Sequence, residues 1–206
     1  MKKGISYFIY WLLQCTWGFI MTFIGAVAAL GLIVTGHKPK RLGPTIYFEV
    51  GHNWGGVELG GFFICDHESD LDTKYHECGH SLQNIIWGPL FPFLIAIPSA
   101  VRYWLRECKG HLNKVFFSGA ILFISLIVFT LLAWLMTFTG IKFLVILMEL
   151  FRIYFTLISI WLTAIEIPRY VNPCHPGKEV YVDYDSIWFE GQATRWGTKV
   201  YGKKEG

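Results

Sequence analysis

Charge is scarce in this 206-residue chain. Asp, Glu, Lys and Arg make up 16% of it, against about 25% in an ordinary soluble domain. The shortage comes from long runs without an ionisable residue, which point to an integral membrane protein. Cysteine supplies no framework either. Cys15, Cys65, Cys78, Cys108 and Cys174 contain no CxxC pair, and an odd, unpatterned set argues against a disulfide scaffold. Reduced thiols are expected, which suits an active region facing the cytoplasm. Internal repeats and low-complexity segments are missing. So is any basic cluster interleaved with stacking aromatics, and at a net charge of +3 nucleic acid is excluded as a partner. The first uncharged run, Ile5 to Val34, is far longer than the apolar region of a signal peptide and reads as a membrane helix.

What is present are apolar runs, each with its own punctuation. Residues 5–34 form the first span. Thirty helical residues reach about 45 Å against a hydrocarbon core of about 30 Å, so this helix must tilt, project from the bilayer, or break near Gly18, Gly25 or Gly31. Residues 115–139 and 141–167 form two further spans, turned tightly at Thr139-Gly140 and ended by Pro168. Residues 82–101 are apolar too, but carry Gly88-Pro89, Pro92 and Pro98. Three breaks within one bilayer length suit a re-entrant segment better than a full crossing, which stays the alternative.

Between the first two runs, residues 37–81 hold the only β-prone stretches. These are Thr45–Val50 and Val57–Cys65, with Gly51–Gly56 suited to a hairpin loop, followed by a helix from near Thr73 to about Trp87. Residues 172–206 form a polar tail with a helix from Asp185 to about Val200. The expected fold is an all-α integral membrane protein with three transmembrane helices, a re-entrant segment and a short β-hairpin. It forms a single membrane-embedded domain over residues 1–206.

The helix in the 37–81 stretch carries His76-Glu77-Cys78-Gly79-His80, an HExxH motif. On a helix, residues four apart share a face, so both imidazoles can reach one zinc ion. Glu77 lies beside that metal without needing to bind it, placed to take a proton from an activated water. The bland reading is a polar patch at a helix start. A zinc held by two histidines needs a third ligand, and the tail offers Glu190 in Tyr-Asp-Ser-Ile-Trp-Phe-Glu-Gly-Gln-Ala-Thr-Arg-Trp-Gly, residues 184–197. Glu190-Gly-Gln-Ala193 resembles the ExxA(D) element that supplies this ligand in gluzincin membrane metallopeptidases of the Ste24 and HtpX type. That resemblance implies a zincin-like helix, one zinc per chain and ligands His76, His80 and Glu190, with the small Ala193 letting the two helices pack. Thr194 stands where those enzymes usually have Asp. A second resemblance rests on Gly55-Gly56-Val57-Glu58-Leu59-Gly60, His76 to Gln83, Gly88-Pro89-Leu90 and Ile97-Pro98-Ser99. These look like a family of small bacterial membrane proteins sharing an HE-x-GH core, a GPL segment and a late TE-x-x-A element. It implies a common fold and metal site and brings no substrate.

The ligands constrain topology. His76 and Glu190 must lie on one side of the bilayer, as they do if 82–101 is re-entrant and only the 115–167 hairpin intervenes. Lys38, Lys40, Arg41, Arg102, Arg106, Lys109, Lys114, Arg169 and Lys178 then share that face, which the positive-inside rule makes cytoplasmic, while Lys2 and Lys3 argue the other way. Glu149 and Arg152 sit inside a span, either as a functional pair or as a mutually satisfied one. His67 and Glu68 read as a solvated acidic loop, and Cys174-His175 as a turn. Arg195, Tyr184 and His175 are candidate oxyanion donors, and Asp185 and His175 the alternatives to Glu190. The expected function is a multi-pass, zinc-dependent peptidase of the cell membrane acting on a peptide or membrane-protein substrate. The alternatives are a non-catalytic interaction subunit with a structural zinc site, and a small transporter component. Oligomeric state is not legible in the sequence.

Overall fold

The computed structural model describes residues 6–107, 112–161, 185 and 187–202. The chain divides into two compact units, Met1–Ile97 with Asp183–Gly206, and Pro98–Val182. Both are mainly helical, and the first also contains a small sheet.

The first apolar run is two helices, α1 (Tyr7–Thr16) and α2 (Phe19–Val34), bent by 100°. Of the three glycines at which a break was expected, the chain breaks at Gly18, and the reason is polar. Gln14 Nε2 donates to Gly60 O (3.1 Å) and Ser81 O (3.0 Å), while its Oε1 accepts from Thr22 Oγ1 (3.0 Å) and Asn84 Nδ2 (2.6 Å). Asn84 Nδ2 also donates to Gly18 O, which the bend leaves accessible (3.1 Å). A Cβ at residue 18 would lie 2.5 Å from Asn84 Nδ2 and 2.9 Å from Gln14 Oε1. The bend and the buried network therefore require each other. Gly25 serves a different purpose: a Cβ there would lie 2.2 Å from Leu59 O, so α2 touches the sheet through it.

The sheet has four strands, β1 (Lys40–Leu42), β2 (Thr45–Glu49), β3 (Gly56–Leu59) and β4 (Phe62–Cys65), in the order β1-β2-β4-β3. The expected hairpin across Gly51–Gly56 does not form. Val57–Cys65 is itself a hairpin, because Gly60 at φ +76 supplies a two-residue Gly60-Gly61 turn. Its second strand pairs parallel to β2 and leaves β3 at the edge. The 51–55 connection crosses to that edge and is tied down by Asp66. Its carboxylate accepts from Gly55 N (2.7 Å), Trp54 N (2.8 Å) and Ser69 Oγ (2.6 Å). The Ser69 hydroxyl and those amides hold Asp66 down at about 2.

Helix α3 (Leu71–Trp87) starts two residues before the expected Thr73, capped by Asp70 Oδ1 accepting from Thr73 N at 2.8 Å. Gly88, at φ +50, ends it against the Trp17 indole. A 3₁₀ turn (Gly88–Leu90) and a π turn (Pro92–Ala96) lead into α4 (Ile97–Glu107), and Leu71–Leu90 meets Pro92–Val101 at 117°. The apolar run 82–101 thus bends once, beside Pro89 and Pro92, and of the three expected breaks the one at Pro98 does not occur, because that proline sits in the first turn of α4. Met21, Phe91, Ile95 and Phe189 form one core. Phe63, Cys65 and Cys78 form another under Tyr47 and Tyr201. Cys15, Cys65 and Cys78 are unpaired thiols; Cys108 and Cys174 lie outside the described residues.

In the second unit α5 (Leu112–Thr137) and α6 (Lys142–Trp161) form the expected hairpin, with Gly140 at φ +70 in the turn. Phe129 stacks on Phe151 and Phe155, with ring centroids 5.9 and 4.8 Å apart. Arg152 satisfies Glu149 directly, Nε at 2.7 Å and Nη2 at 2.6 Å from Oε2, which matches the expected mutual pairing, but the two side chains are part-exposed and not turned to a bundle interior. Among the described residues, α6 alone is long and apolar enough to cross a membrane, and the two bent pairs qualify only if each is taken as one span.

The bend generates a paired test. Gly18→Ala drives a methyl into Asn84 and Gln14 and should lower the thermal midpoint in detergent by several degrees, for a cost on the order of 1–3 kcal/mol. Gly31→Ala, in the same helix with nothing within 4 Å, should leave the midpoint unchanged or raise it slightly. Equal effects of the two would refute the assignment of the break to Gly18.

Candidate metal centre

Helices α3 and α7 (Trp188–Tyr201) build the site between them. Their backbones touch. A Cβ at Gly79 would lie 1.9 Å from Ala193 O, and one at Gly197 would lie 1.7 Å from Tyr75 O. Ala193 is fully buried in this seam, as its small size led one to expect. The close approach places the first turn of α7 over the HExxH face. Glu190 lies in that turn, where the helix dipole favours a carboxylate.

Three atoms converge there. Glu190 Oε2 is 3.1 Å from His76 Nε2 and 3.0 Å from His80 Nε2, and the two Nε2 atoms are 3.0 Å apart. Glu190 is fully buried and His80 nearly so. The outer nitrogens fix the tautomers. His76 Nδ1 is 2.8 Å from Thr194 Oγ1, whose single hydroxyl proton goes to Asp185 Oδ1 at 3.0 Å. Thr194 must therefore accept, so His76 Nδ1 carries the proton and Nε2 presents a lone pair. On His80, Nδ1 donates to Gln83 Oε1 at 2.7 Å. The Gln83 amide cannot be flipped, because its Nε2 donates to Phe189 O (2.8 Å), which only accepts, as well as to Gln192 Oε1 (2.9 Å).

Two imidazole lone pairs and one carboxylate oxygen thus point at each other at 3.0–3.1 Å, an arrangement that repels unless a cation sits among them. These edges are close to the roughly 3.3 Å between ligand atoms of a tetrahedral zinc bound at 2.0–2.1 Å. Ligating histidines also require a partner on the other ring nitrogen, and both have one. The buried His76–His80–Glu190 group can hold a metal ion, and no other group of three His, Cys, Asp or Glu converges among the described residues.

Glu77 sits beside this group and outside it. Its side chain lies against β3, where a Cβ at Gly56 would be 2.7 Å from Oε1; the glycine makes room for the carboxyl. Glu77 precedes the apolar stretch 82–101. Burial pushes its carboxyl up to about 7, opposed by His76 and reinforced by the Glu190 charge.

Glu58, two residues along β3 and so on the same face as Gly56, was not foreseen as a site residue. It is buried, and neither carboxyl oxygen meets a hydrogen-bond partner of normal geometry among the described residues. Burial pushes it well above the usual carboxylate range, and the neighbouring Glu77 charge adds to the push against a partial hold from the Gly60 backbone. The available signal was a charged residue at an inward position of a short apolar strand. Gln83 was likewise missed, and its signal was a polar side chain one turn after His80.

The remaining candidates separate. Asp185 is no ligand, but stands behind His76 through Thr194. His67 and Glu68 lie on the surface, with Glu68 paired to His52 at 2.6 Å, as a solvated loop should be. Arg195 is exposed on α7. Cys174, His175 and Tyr184 lie outside the described residues.

Glu58 ties stability to pH. A carboxyl whose folded value is raised stabilises the fold fully below its unfolded value, and that contribution is lost as pH rises toward and through the folded value. Glu58→Gln does not titrate, so it should melt several degrees above the wild-type protein at pH 8 and lose that advantage near pH 4, by thermal denaturation in detergent. A difference independent of pH would show that Glu58 is not held as the neutral acid.

No protein-family profile, curated protein or solved structure matches this chain.

Proposed function

We propose that the chain is a zinc-dependent, membrane-bound peptidase. The observation that supports this best is the division of labour on α3. Two imidazole lone pairs and Glu190 converge on one point, while the adjacent Glu77 carboxyl lies against Gly56 of β3, outside the ligand set. His76, His80 and Glu190 would hold the zinc. When bound, zinc acts as a Lewis acid that makes water a better nucleophile near neutral pH and polarises a carbonyl. Glu77 accepts the proton of the water that attacks the scissile carbonyl carbon, then delivers it to the nitrogen of the leaving amine. A carboxyl raised to about 7 suits both halves of that transfer, since it can take and return a proton at cellular pH. The edge strand β3, whose Gly56 abuts Glu77, is placed to pair with an extended substrate through main-chain hydrogen bonds. Peptides, including segments of membrane proteins, are the substrate class.

The bilayer is the second half of the proposal. Helices α1 and α2 present Phe8, Phe23, Val27, Leu30 and Val34 outward, each more than half exposed, and α6 presents Phe143, Ile146 and Leu157 likewise. Apolar surface on this scale suits lipid. A site at one face of the bilayer that joins Glu190 to His76 and His80 would require the chain between residues 80 and 190 to cross an even number of times. The bent run 82–101 then serves as the re-entrant segment and the α5–α6 hairpin supplies two crossings. In that topology the basic residues counted in the sequence would share the site's face, and the positive-inside rule would make it cytoplasmic.

Metal analysis tests the first half. The purified protein should carry about one zinc per chain, His76→Ala, His80→Ala and Glu190→Ala should lose it, and Glu77→Gln should keep it while losing peptide hydrolysis. If Glu77→Gln loses zinc as completely as His76→Ala, Glu77 is a ligand and the catalytic assignment fails. A wild-type protein with zinc and no hydrolysis of any peptide would favour the non-catalytic interaction subunit.

Cysteine-accessibility labelling tests the second half. Single cysteines at Ser69 and Lys199 should both be reached only after the inner face of the cell membrane is opened. Labelling from opposite sides would refute the shared face.

A further inference from the structure

The two metal-facing histidines are anchored differently. His80 leans on a neutral amide, Gln83, supplied by its own helix. His76 leans on a hydroxyl, Thr194, and behind it a carboxylate, Asp185, which lies outside α7 and two residues before its N-cap Ile187. The polarity of this chain has one solution. A carboxylate only accepts, so the Thr194 proton belongs to Asp185, the Thr194 lone pair receives His76 Nδ1–H, and His76 Nε2 is left bare toward Glu190. A carboxylate at the end of such a relay raises the basicity of the imidazole and holds its ring orientation, where a lone hydroxyl could rotate and reverse the relay.

Asp185 reaches Thr194 because its own backbone lies along the first turn of the helix. That path passes over Gly191, where a Cβ would lie 2.6 Å from Asp185 O. Any other residue at position 191 would push the Asp185 backbone away from the helix while leaving both histidines, Glu190 and Thr194 in place.

We propose that Asp185, acting through the Thr194 hydroxyl, is a positioning residue that fixes His76 in its metal-binding tautomer, and that Gly191 is what allows it to do so. The inference rests on the metal-site reading above and deepens it. It assigns to a residue outside the helix a function that the ligand set alone does not require. It also explains how α7 carries Thr194 without losing carboxylate support for the ligand: the acid is supplied from nine residues upstream and delivered one hydroxyl away.

Zinc affinity of the full chain in detergent micelles, measured by competition with a chromophoric chelator, is the test. Asp185→Asn, Thr194→Val and Gly191→Ala should each weaken zinc binding by about 10–100-fold. Combining Asp185→Asn with Thr194→Val should cost no more than either alone, because both cut one relay. Thr194→Asp places a carboxylate directly on His76, so in that background Asp185→Asn should bind zinc within a few-fold of the wild type. The cobalt-substituted wild-type protein and the Thr194→Asp, Asp185→Asn double variant should show matching visible absorption bands, shifted in Asp185→Asn alone. Wild-type zinc affinity in Asp185→Asn, additive losses in the double variant, or no rescue by Thr194→Asp would each overturn the proposal while leaving the zinc site standing. A folded wild-type protein that takes up no zinc would overturn the metal reading and this inference with it.

Discussion

Two helices can bring their backbones together only where side chains are missing, and the site depends on one such meeting. Gly79 and Gly197 each leave a space that a carbonyl of the opposite helix fills, and Ala193 lies between them in the seam. The approach does two things at once. It buries Glu190 completely, so that the carboxylate must be compensated, and it brings Thr194 and Gln192 within hydrogen-bonding distance of the α3 face. Larger residues in the seam would separate the helices, and the third ligand would then lie too far from the first two to share an ion with them. The convergence of the three side chains thus depends on van der Waals geometry at the seam.

Polar groups elsewhere in the first unit obey the same discipline. Gln14, Ser81 and Asn84 are fully buried in apolar surroundings, and each is engaged by backbone or side-chain partners. Tyr10 from α1 joins Ser81 from α3 in this network. The network fastens the bend of the first run to the helix that carries the histidines, so the side of α3 bearing His76 and His80 is braced from behind. Asn84 Oδ1 and Trp87 Nε1 are left without a partner among the described residues, and so is Glu58, a buried acid with little compensation beside Glu77. Unsatisfied groups of this kind tend to collect near functional sites.

Much of this was legible in the sequence, for identifiable reasons. The HExxH spacing dictates one helical face, and the small residue three places after Glu190 marks a helix that packs closely. The first relation is local and pairs His76 with His80, whereas Glu190 was reached through the resemblance of Glu190-Gly-Gln-Ala193 to a known ligand element. Glycine positions offered Gly18, Gly25 and Gly31 for a break in the first run, of which the chain uses Gly18, and Gly88-Pro89 and Pro92 marked the second bend. The sheet was less legible. Its hairpin depends on Gly60-Gly61 rather than on the longer glycine-rich stretch before it, and its parallel β2–β4 pairing is a non-local choice that no turn signal announces. The support behind the histidines was the hardest to see. A threonine that passes an aspartate's influence to an imidazole 118 residues away leaves no periodic trace.

The order of the ligands along the chain has a consequence in time. His80 and Glu190 are 110 residues apart, and the second compact unit lies between them. At about 5–20 residues per second, a ribosome takes on the order of 5–20 s to add the second after the first. Throughout that interval the growing chain has a pair of histidines and no centre that can hold a metal with three protein ligands. A three-ligand centre of His76, His80 and Glu190 can therefore form only when α7 docks, after the intervening helices have been made.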